Sequence, residues 1–452
     1  MQQLLDKRPL YTLEHKVFIE ENSRLLWLAA LLFVVSLLCR SWEHFFYPGF
    51  YVEDASYYFR INYDAPSKWE HIFRNPNGYY NIFNNFTAQL IGKIDIRYQA
   101  YAYLIVATST CIATVAMFSR LGLVKNRFLL LVTPLVLGLS GLNHINYYTT
   151  LTFQMYLLVI ALLVVLLWEP EKKIGKNLFI ILLIPLLVWS GPYSVLAVPF
   201  ALGFLVLFRG KSLIMIWAVV VTVVYALSTS GSVGSGIILG HLFSATFQRI
   251  WFETVVIDVF FMGFRGGANI EKVLLIAAFI GPALYLIRKD TVQLRILLLL
   301  MVVIIVTPAP LLLTSKYMLY GDVFPCHVLT AQIAWIVFIL ILLDRLIDKL
   351  KESYRPAASI VVMVVITLFI VADNVKNPRK GNHVILYNTR EFLQVIKKYE
   401  TLRLKEQNKY VVISAEGMGI FDPTVQVGSR RPDAEKIKNI YIPLPKNNRK
   451  NR

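Results

Sequence analysis

Eleven apolar runs follow one another along this chain, at 25–39, 98–118, 128–142, 151–168, 177–190, 193–208, 212–228, 272–287, 296–313, 327–343 and 358–373. A helix crosses the hydrocarbon core of a bilayer with about 20 apolar residues, and runs of this kind cross as helices because lipid offers backbone N–H and C=O groups no partner. Some of the runs are shorter than that, which tilt or aromatic flanks can accommodate. With 56% hydrophobic and 16% charged residues, the expected fold class is an all-α polytopic membrane protein with about eleven transmembrane helices. No cleavable signal peptide is expected, since the first 24 residues are mixed in charge and no small-residue cleavage site follows the first run. Cys39, Cys111 and Cys326 lie in or beside apolar runs without metal-binding spacing, and they read as small buried hydrophobes.

The cations give the bundle a direction. One set of short loops holds Arg120, Lys125 and Arg127; Lys172, Lys173 and Lys176; Arg209 and Lys211; Arg288, Lys289 and Arg295; and Arg345, Lys349, Lys351 and Arg355. The short loops of the other set, 143–150, 191–192 and 314–326, hold only Lys316. Lys and Arg accumulate on the cytoplasmic side. That places residues 1–24 inside, and it places the long first loop 40–97, the loop 229–271 and the basic tail 374–452 outside. A tail this basic sits awkwardly outside, which is tolerable because long segments cross regardless of charge; an even number of spans would put it inside. Were 177–190 and 193–208, parted by Gly191-Pro192, one broken helix, everything after them would reverse. The tail reads as a small α+β appendix, with a helix over 387–405 and strands at Tyr410-Val-Val-Ile-Ser and Ile440-Tyr-Ile-Pro-Leu. The domains are thus an N-terminal segment 1–24, a transmembrane domain 25–373 that includes the first loop, and the tail.

Chemistry-bearing residues concentrate in the first loop, in Tyr51-Val-Glu-Asp-Ala-Ser-Tyr-Tyr-Phe-Arg60. Glu53 and Asp54 are two adjacent acids just outside the first span. Asp54 could simply cap a following helix. A carboxylate at this place could also act as general base, taking the proton of an attacking hydroxyl. Neighbouring residues point in different directions, so one acid would be the base and the other a positioning or metal group. A departing phosphate needs cations. Arg60, Arg74, Arg265 in its Gly-rich setting, Lys316 with Tyr317, and His327 are candidates, each of which could instead be an interfacial anchor. Aromatic residues of the loop could stack on sugar rings or sit in an interfacial belt. The segment Ser140 to Gln154 places Asn143, His144, Asn146 and Gln154 between two apolar helices, where polar groups must be paired or wetted. It suggests a water-filled cavity facing the first loop, or a helix-capping turn. Ser190-Gly-Pro-Tyr-Ser194 breaks an apolar run.

Together these features resemble the GT-C membrane glycosyltransferases. The resemblance rests on a long first outer loop with its acidic motif, Glu53-Asp54-Ala-Ser-Tyr-Tyr-Phe-Arg60, on Asn143-His-Ile-Asn-Tyr-Tyr, and on Ser190-Gly-Pro-Tyr-Ser-Val-Leu-Ala-Val-Pro199. It covers roughly residues 20–375. An Arg-Tyr pair of some relatives corresponds to Lys316-Tyr317 here, which keeps the charge but not a bidentate grip on phosphate. The resemblance implies a GT-C-like bundle in a bacterial inner membrane with its site facing outward. It implies a polyprenyl-phosphate-linked sugar as donor and a glycan or glycolipid as acceptor. It also implies, for some relatives, a divalent cation such as Mg or Mn on Glu53 or Asp54. No nucleic-acid partner is expected. A flippase for lipid-linked oligosaccharide would show charges inside many spans, and an O-antigen polymerase or ligase would show a large basic later loop. Both stay open as alternatives.

Overall fold

The computed structural model describes residues 8–9, 22–40, 42–46, 54, 58, 69–73, 79–94, 96–140, 145–168, 174–209, 211–229, 245–264, 267–307, 328–376, 410–414, 425–428 and 439–443. Its longer helices are α1 Ser23–Arg40, α2 Ile82–Ile91, α3 Ile96–Ser119, α4 Arg127–Leu139, α5 Gln154–Leu167, α6 Ile174–Val188, α7 Ala197–Leu207, α8 Ser212–Thr229, α9 Asn269–Ile287, α10 Thr291–Val306, α11 Leu329–Asp348 and α12 Arg355–Lys376. Every apolar run of the sequence lies on one of them. Five helical stretches, Tyr98–Ser119, Ser212–Thr229, Asn269–Ile287, Leu329–Asp348 and Glu352–Val375, are long and apolar enough to cross a membrane, while others are apolar but shorter. The chain is therefore a helical, multi-pass membrane protein by length and composition. Among the described residues each of the eleven runs overlaps one of these helices, and length and composition qualify five stretches as crossings.

Contacts between helix ends order the bundle. Lys211 Nζ donates to the carbonyls of Leu166 and Leu167, at 3.2 and 2.5 Å, at the end of α5. Gly191, beyond α6, lies against the start of the same helix, where a Cβ would come within 2.9 Å of Met155 Cβ. Fourteen residues make α5 about 21 Å long at 1.5 Å per residue. The chain therefore travels the length of α5 upward through α6 and back through α7. The two runs around Gly191-Pro192 form an antiparallel hairpin, which excludes a single broken helix. Pro192 opens the 3-10 turn Pro192–Leu196, where its missing N–H costs nothing.

The same logic separates two ends. At one end, Trp27 lies under the Arg120 guanidinium, 5.3 Å from the ring centre, and Arg8–Pro9 pairs in parallel with Phe208–Arg209. Here Asp344 accepts from the backbone N–H groups of Asn126 and Lys125 at 2.7 and 3.3 Å. Asn126 in turn caps α4 and donates to Ser359 Oγ of α12 at 2.7 Å. Asp344 and Asn126 thus tie α4, α11 and α12 together beneath the cationic loops. Arg345 and Arg355 both pair with Asp348, at 3.8 and 3.2 Å.

At the other end, Arg40 donates to Gly138 O at 3.4 Å, and Asn374 donates to Leu139 O at 3.0 Å. The chain beyond α12 consequently leaves from the end opposite to Arg8–Pro9. At this same end α1 and α4 approach closely because residue 138 is glycine; a methyl group there would overlap Ser36 Oγ. Ser36 Oγ itself donates to Phe33 O at 2.7 Å. In the tail, Tyr410–Ser414 pairs antiparallel with Val425–Gly428 and with Asn439–Pro443. The expected helix over 387–405 lies outside the described residues.

Charges are not excluded from the helices as the apolar runs had suggested. Lys272, Arg295, Asp344, Arg345 and Asp373 are buried, but each lies within about a turn or two of a helix end, where partners and headgroups are within reach. In a cysteine-free background, cysteines placed at Lys125 and Lys211 should react with an impermeant maleimide from the same side of the membrane, and one placed at Tyr80 from the opposite side. Reaction of all three from one side would contradict the two-ended bundle.

Candidate functional site

The segment between α4 and α5 forms the mouth of the bundle at the end away from the cationic loops. Residues 146–149 make one helical turn, and Leu151 to Phe153 lead into α5. Backbone N–H groups just before a helix need acceptors. Two of them find one 97 and 98 residues earlier in the chain: Leu151 N–H donates to Asp54 Oδ2 at 3.2 Å, and Thr152 N–H donates to Asp54 Oδ1 at 2.8 Å. The Thr152 hydroxyl adds a third bond to Oδ1 at 2.5 Å. Asp54 is 1% exposed. A buried carboxylate is tolerated only when hydrogen-bonded, and here backbone and side chain both supply donors. Residues 55–57, which Asp54 would cap as the start of a following helix, lie outside the described residues. Asp54 fastens the first loop to the bundle.

A second knot lies beside it. Asn81 and Asn84 both donate to the Tyr58 hydroxyl, at 2.9 and 3.3 Å, and Asn84 also donates to Leu151 O at 2.7 Å. Leu151 is thus held at both its N–H and its C=O by first-loop side chains. Ile82 N–H donates to Trp189 O at 3.0 Å, Phe83 N–H donates to Ser190 Oγ at 3.0 Å, and Tyr79 hydroxyl meets Met155 sulfur at 3.4 Å. Helix α2 is thereby seated on the α6–α7 turn. The Ser190-Gly-Pro break has this role: it turns the chain and offers a hydroxyl and a carbonyl to the first loop. The residues from Ile145 to Gln154 face first-loop residues, as expected. Among the described residues Ile145, Tyr147, Tyr148, Leu151 and Gln154 are buried, while Asn143 and His144, on which the expected watery cavity rests, lie outside the described residues.

Aromatic side chains gather at the same end. Tyr80, Trp189 and Tyr225 form a triangle with ring centroids 5.1, 6.5 and 6.0 Å apart, and Tyr156 lies 4.9 Å from Tyr193. Such offset and edge contacts are favourable beyond their burial. Tyr80 and Trp189 remain half-buried, so part of each ring is presented. Arg40 sits near Tyr148 and Asp373 and within reach of Gly138 O, giving this end a cation. Tyr103 of α3 lies within electrostatic reach of Asp54. Trp189, Tyr225 and Asp373 were not marked by the sequence, because each stands alone in its run; Tyr80 belongs to the first-loop aromatic residues noted there, and Arg40 carried a signal as the charge closing the first span.

Of the residues singled out in the sequence, Asp54 is placed as described, and Asn146 opens the one-turn helix before α5. Glu53, Arg60, Arg74, Asn143, His144, Arg265, Lys316, Tyr317 and His327 lie outside the described residues. Among the described residues no group of three or more His, Cys, Asp or Glu is arranged to hold a metal ion. Both oxygens of Asp54 accept N–H or O–H donors. No family model matches the chain, and no curated protein matches it.

The anchoring geometry makes a direct prediction. Asp54→Asn turns an acceptor oxygen into an amide donor facing a backbone N–H, so stability should fall by about 1–3 kcal/mol, the scale for stranding a buried hydrogen-bonding group. Thr152→Val removes one bond and should cost about 0.5–1.5 kcal/mol. Thermal unfolding in detergent checks both, and an unchanged midpoint for Asp54→Asn would contradict the anchor.

Proposed function

We propose that this protein is a membrane glycosyltransferase. It moves a monosaccharide from a polyprenyl-phosphate carrier to a glycan or glycolipid acceptor, at the bundle end that carries Asp54. The observation that supports this reading most is the fastening of an acidic first loop onto the bundle mouth through Asp54. Glu53 is the next residue in the chain to this anchor, and the aromatic rings of Tyr80 and Trp189, suited to sugar faces, lie at the same bundle end. The cationic loops all lie at the opposite end, and the tendency of Lys and Arg to stay in the cytoplasm puts the site outside.

The two acids then divide the work. Asp54 is the positioning residue, since its oxygens are engaged with Leu151 and Thr152. Glu53 is the base. The acceptor hydroxyl gives its proton to the Glu53 carboxylate as its oxygen bonds to the anomeric carbon. The bond from that carbon to the phosphate oxygen breaks, and its electron pair leaves with the phosphate. The growing negative charge calls for cations, for which Arg60, Arg265, Lys316 and, from the structure, Arg40 are the candidates. Tyr80 and Trp189 stack on the sugar. Among the described residues the buried charges of the helices lie near their ends and form no continuous polar path of the kind a carrier for lipid-linked glycans would use.

The test is sugar transfer in proteoliposomes with a panel of polyprenyl-phosphate sugars. One donor should raise the unfolding temperature and be consumed. Glu53→Gln should lower turnover by roughly 10²–10⁴-fold, the scale of general base catalysis, while the thermal shift given by that donor persists. Trp189→Ala should weaken acceptor or donor binding more than turnover. Full turnover in Glu53→Gln would remove the base, and no response to any polyprenyl-phosphate sugar would remove the reading.

A further inference from the structure

Helix α2 is turned inside out for a helix in water. Its buried side is largely polar, with Asn84, Asn85, Thr87 and Gln89 set against the protein beside Ala88 and Ile91. Asn84 donates to Leu151 O at 2.7 Å, and Asn85 donates to Ile72 O at 3.1 Å. Its outward side is apolar. Phe86 and Leu90, four residues apart and so on one face, are 38% and 44% exposed, and the exposed Ile94 follows just past the helix end. The 3-10 turn Trp69–Phe73 packs beside α2, and its Trp69 and Phe73 are about 60% exposed. The Trp69 and Phe86 rings lie 6.5 Å apart, so turn and helix present one patch. Among the described residues the charges beside it are Lys93, whose Nζ lies 5.7 Å from the centre of the Trp69 ring, and the exposed Glu70.

We propose that α2 and the Trp69–Phe73 turn rest this patch in the headgroup and upper acyl region of the leaflet at the Asp54 end. Three observations favour a lipid surface. The first is depth. Helix α2 starts on the α6–α7 turn, where Ile82 N–H donates to Trp189 O, and Ile94 comes four residues before Tyr98, where the membrane-length stretch of α3 begins. Both ends of α2 therefore lie at the level where spans leave the hydrocarbon. The second is composition. Trp settles at membrane interfaces, a Lys stem lies along apolar surface while its ammonium reaches the headgroups, and the apolar face of an interfacial helix sinks roughly 5–10 Å. The third is the polar side. A sugar would need hydrogen-bonding groups beside the rings, and the Asn84 and Asn85 amides of α2 are spent on Leu151 and Ile72. Trp69, Phe73, Phe86, Leu90 and Ile94 are also far fewer than the about 20–30 residues a side of a stable protein interface. The aromatic residues of the first loop thus fall into two groups, Tyr80 beside Trp189 at the mouth and Trp69, Phe73 and Phe86 on the lipid. The loop is held twice, by Asp54 to the bundle and by this patch to the leaflet. The inference rests on the membrane-spanning bundle and not on the transfer reaction.

The test uses the full chain in phosphatidylcholine vesicles, with a nitroxide on Phe86→Cys or Leu90→Cys in a cysteine-free background. Both side chains are exposed, so the label displaces no packing. Collisions with oxygen, which concentrates in lipid, are compared with collisions with a neutral nickel chelate, which stays in water. Leu182→Cys on the exposed face of α6 gives the lipid reference, and Lys351→Cys in a cationic loop gives the water reference. The oxygen-to-nickel ratio at both patch positions should exceed the water reference severalfold and lie at or below the lipid reference. A ratio equal to that of Lys351→Cys at both positions would overturn the proposal, since the patch would then face water. Weak collisions with both reagents would overturn it as well. Dipolar broadening between labels would then assign the patch to a second copy of the chain, and its absence would assign it to another part of the same chain.

Discussion

The hydrogen bonds from Leu151, Thr152 and the Thr152 hydroxyl to Asp54 are the contact on which the site end depends. Each side of it would be costly alone. A carboxylate cannot be buried without donors, and a chain entering a helix cannot leave its N–H groups without acceptors. Together they satisfy each other, and Asn84 completes the clamp by taking the Leu151 carbonyl. The first loop is therefore not a free connection between two spans. It is built into the bundle at two neighbouring knots, with Tyr58 shared between Asn81 and Asn84 in the second.

The opposite end uses the same device with different residues. Asp344 collects the N–H groups of Lys125 and Asn126, and Asn126 caps α4 and reaches Ser359. One buried carboxylate at each end thus ties a loop to helices far away in the chain. At the Asp54 end shape adds to these bonds: Gly138 lets α1 settle on α4, and the turn at Gly191 presses on Met155. The consequence is a molecule with one cationic end and one end rich in aromatic and amide side chains. This is an asymmetry of the kind that orients a protein in a bilayer.

Much of the helical layout was legible, because hydropathy is a local signal and lipid leaves helices little choice. The boundaries of α3, α5 and α8 match the apolar runs to within a few residues. Gly191-Pro192 was legible as a break, but whether it kinked a helix or closed a hairpin depended on what lay beside it. Met155 and Lys211 decide that, and neither stands out in the sequence. Asp54 was visible as one of two acids in an aromatic stretch, yet its partners sit 97 and 98 residues away in a segment chosen for its own polarity. No local pattern couples the two. Buried charges such as Arg295 and Asp373 were hidden for the same reason, since a charge at the edge of an apolar run looks like a loop residue until the neighbouring helices are in place. The triangle of Tyr80, Trp189 and Tyr225 unites a loop, a helix end and a third helix, and it exists only in three dimensions.

The fastening of the first loop by Asp54 is tested most directly by a double-mutant cycle on unfolding stability, with Asp54→Asn, Thr152→Val and the pair. Because the two side chains bond to each other, the pair should differ from the sum of the single changes by about 0.5–3 kcal/mol, the range for residues in one hydrogen-bonded network. Strict additivity would contradict the account, since it would mean that Asp54 and Thr152 do not meet in the folded protein.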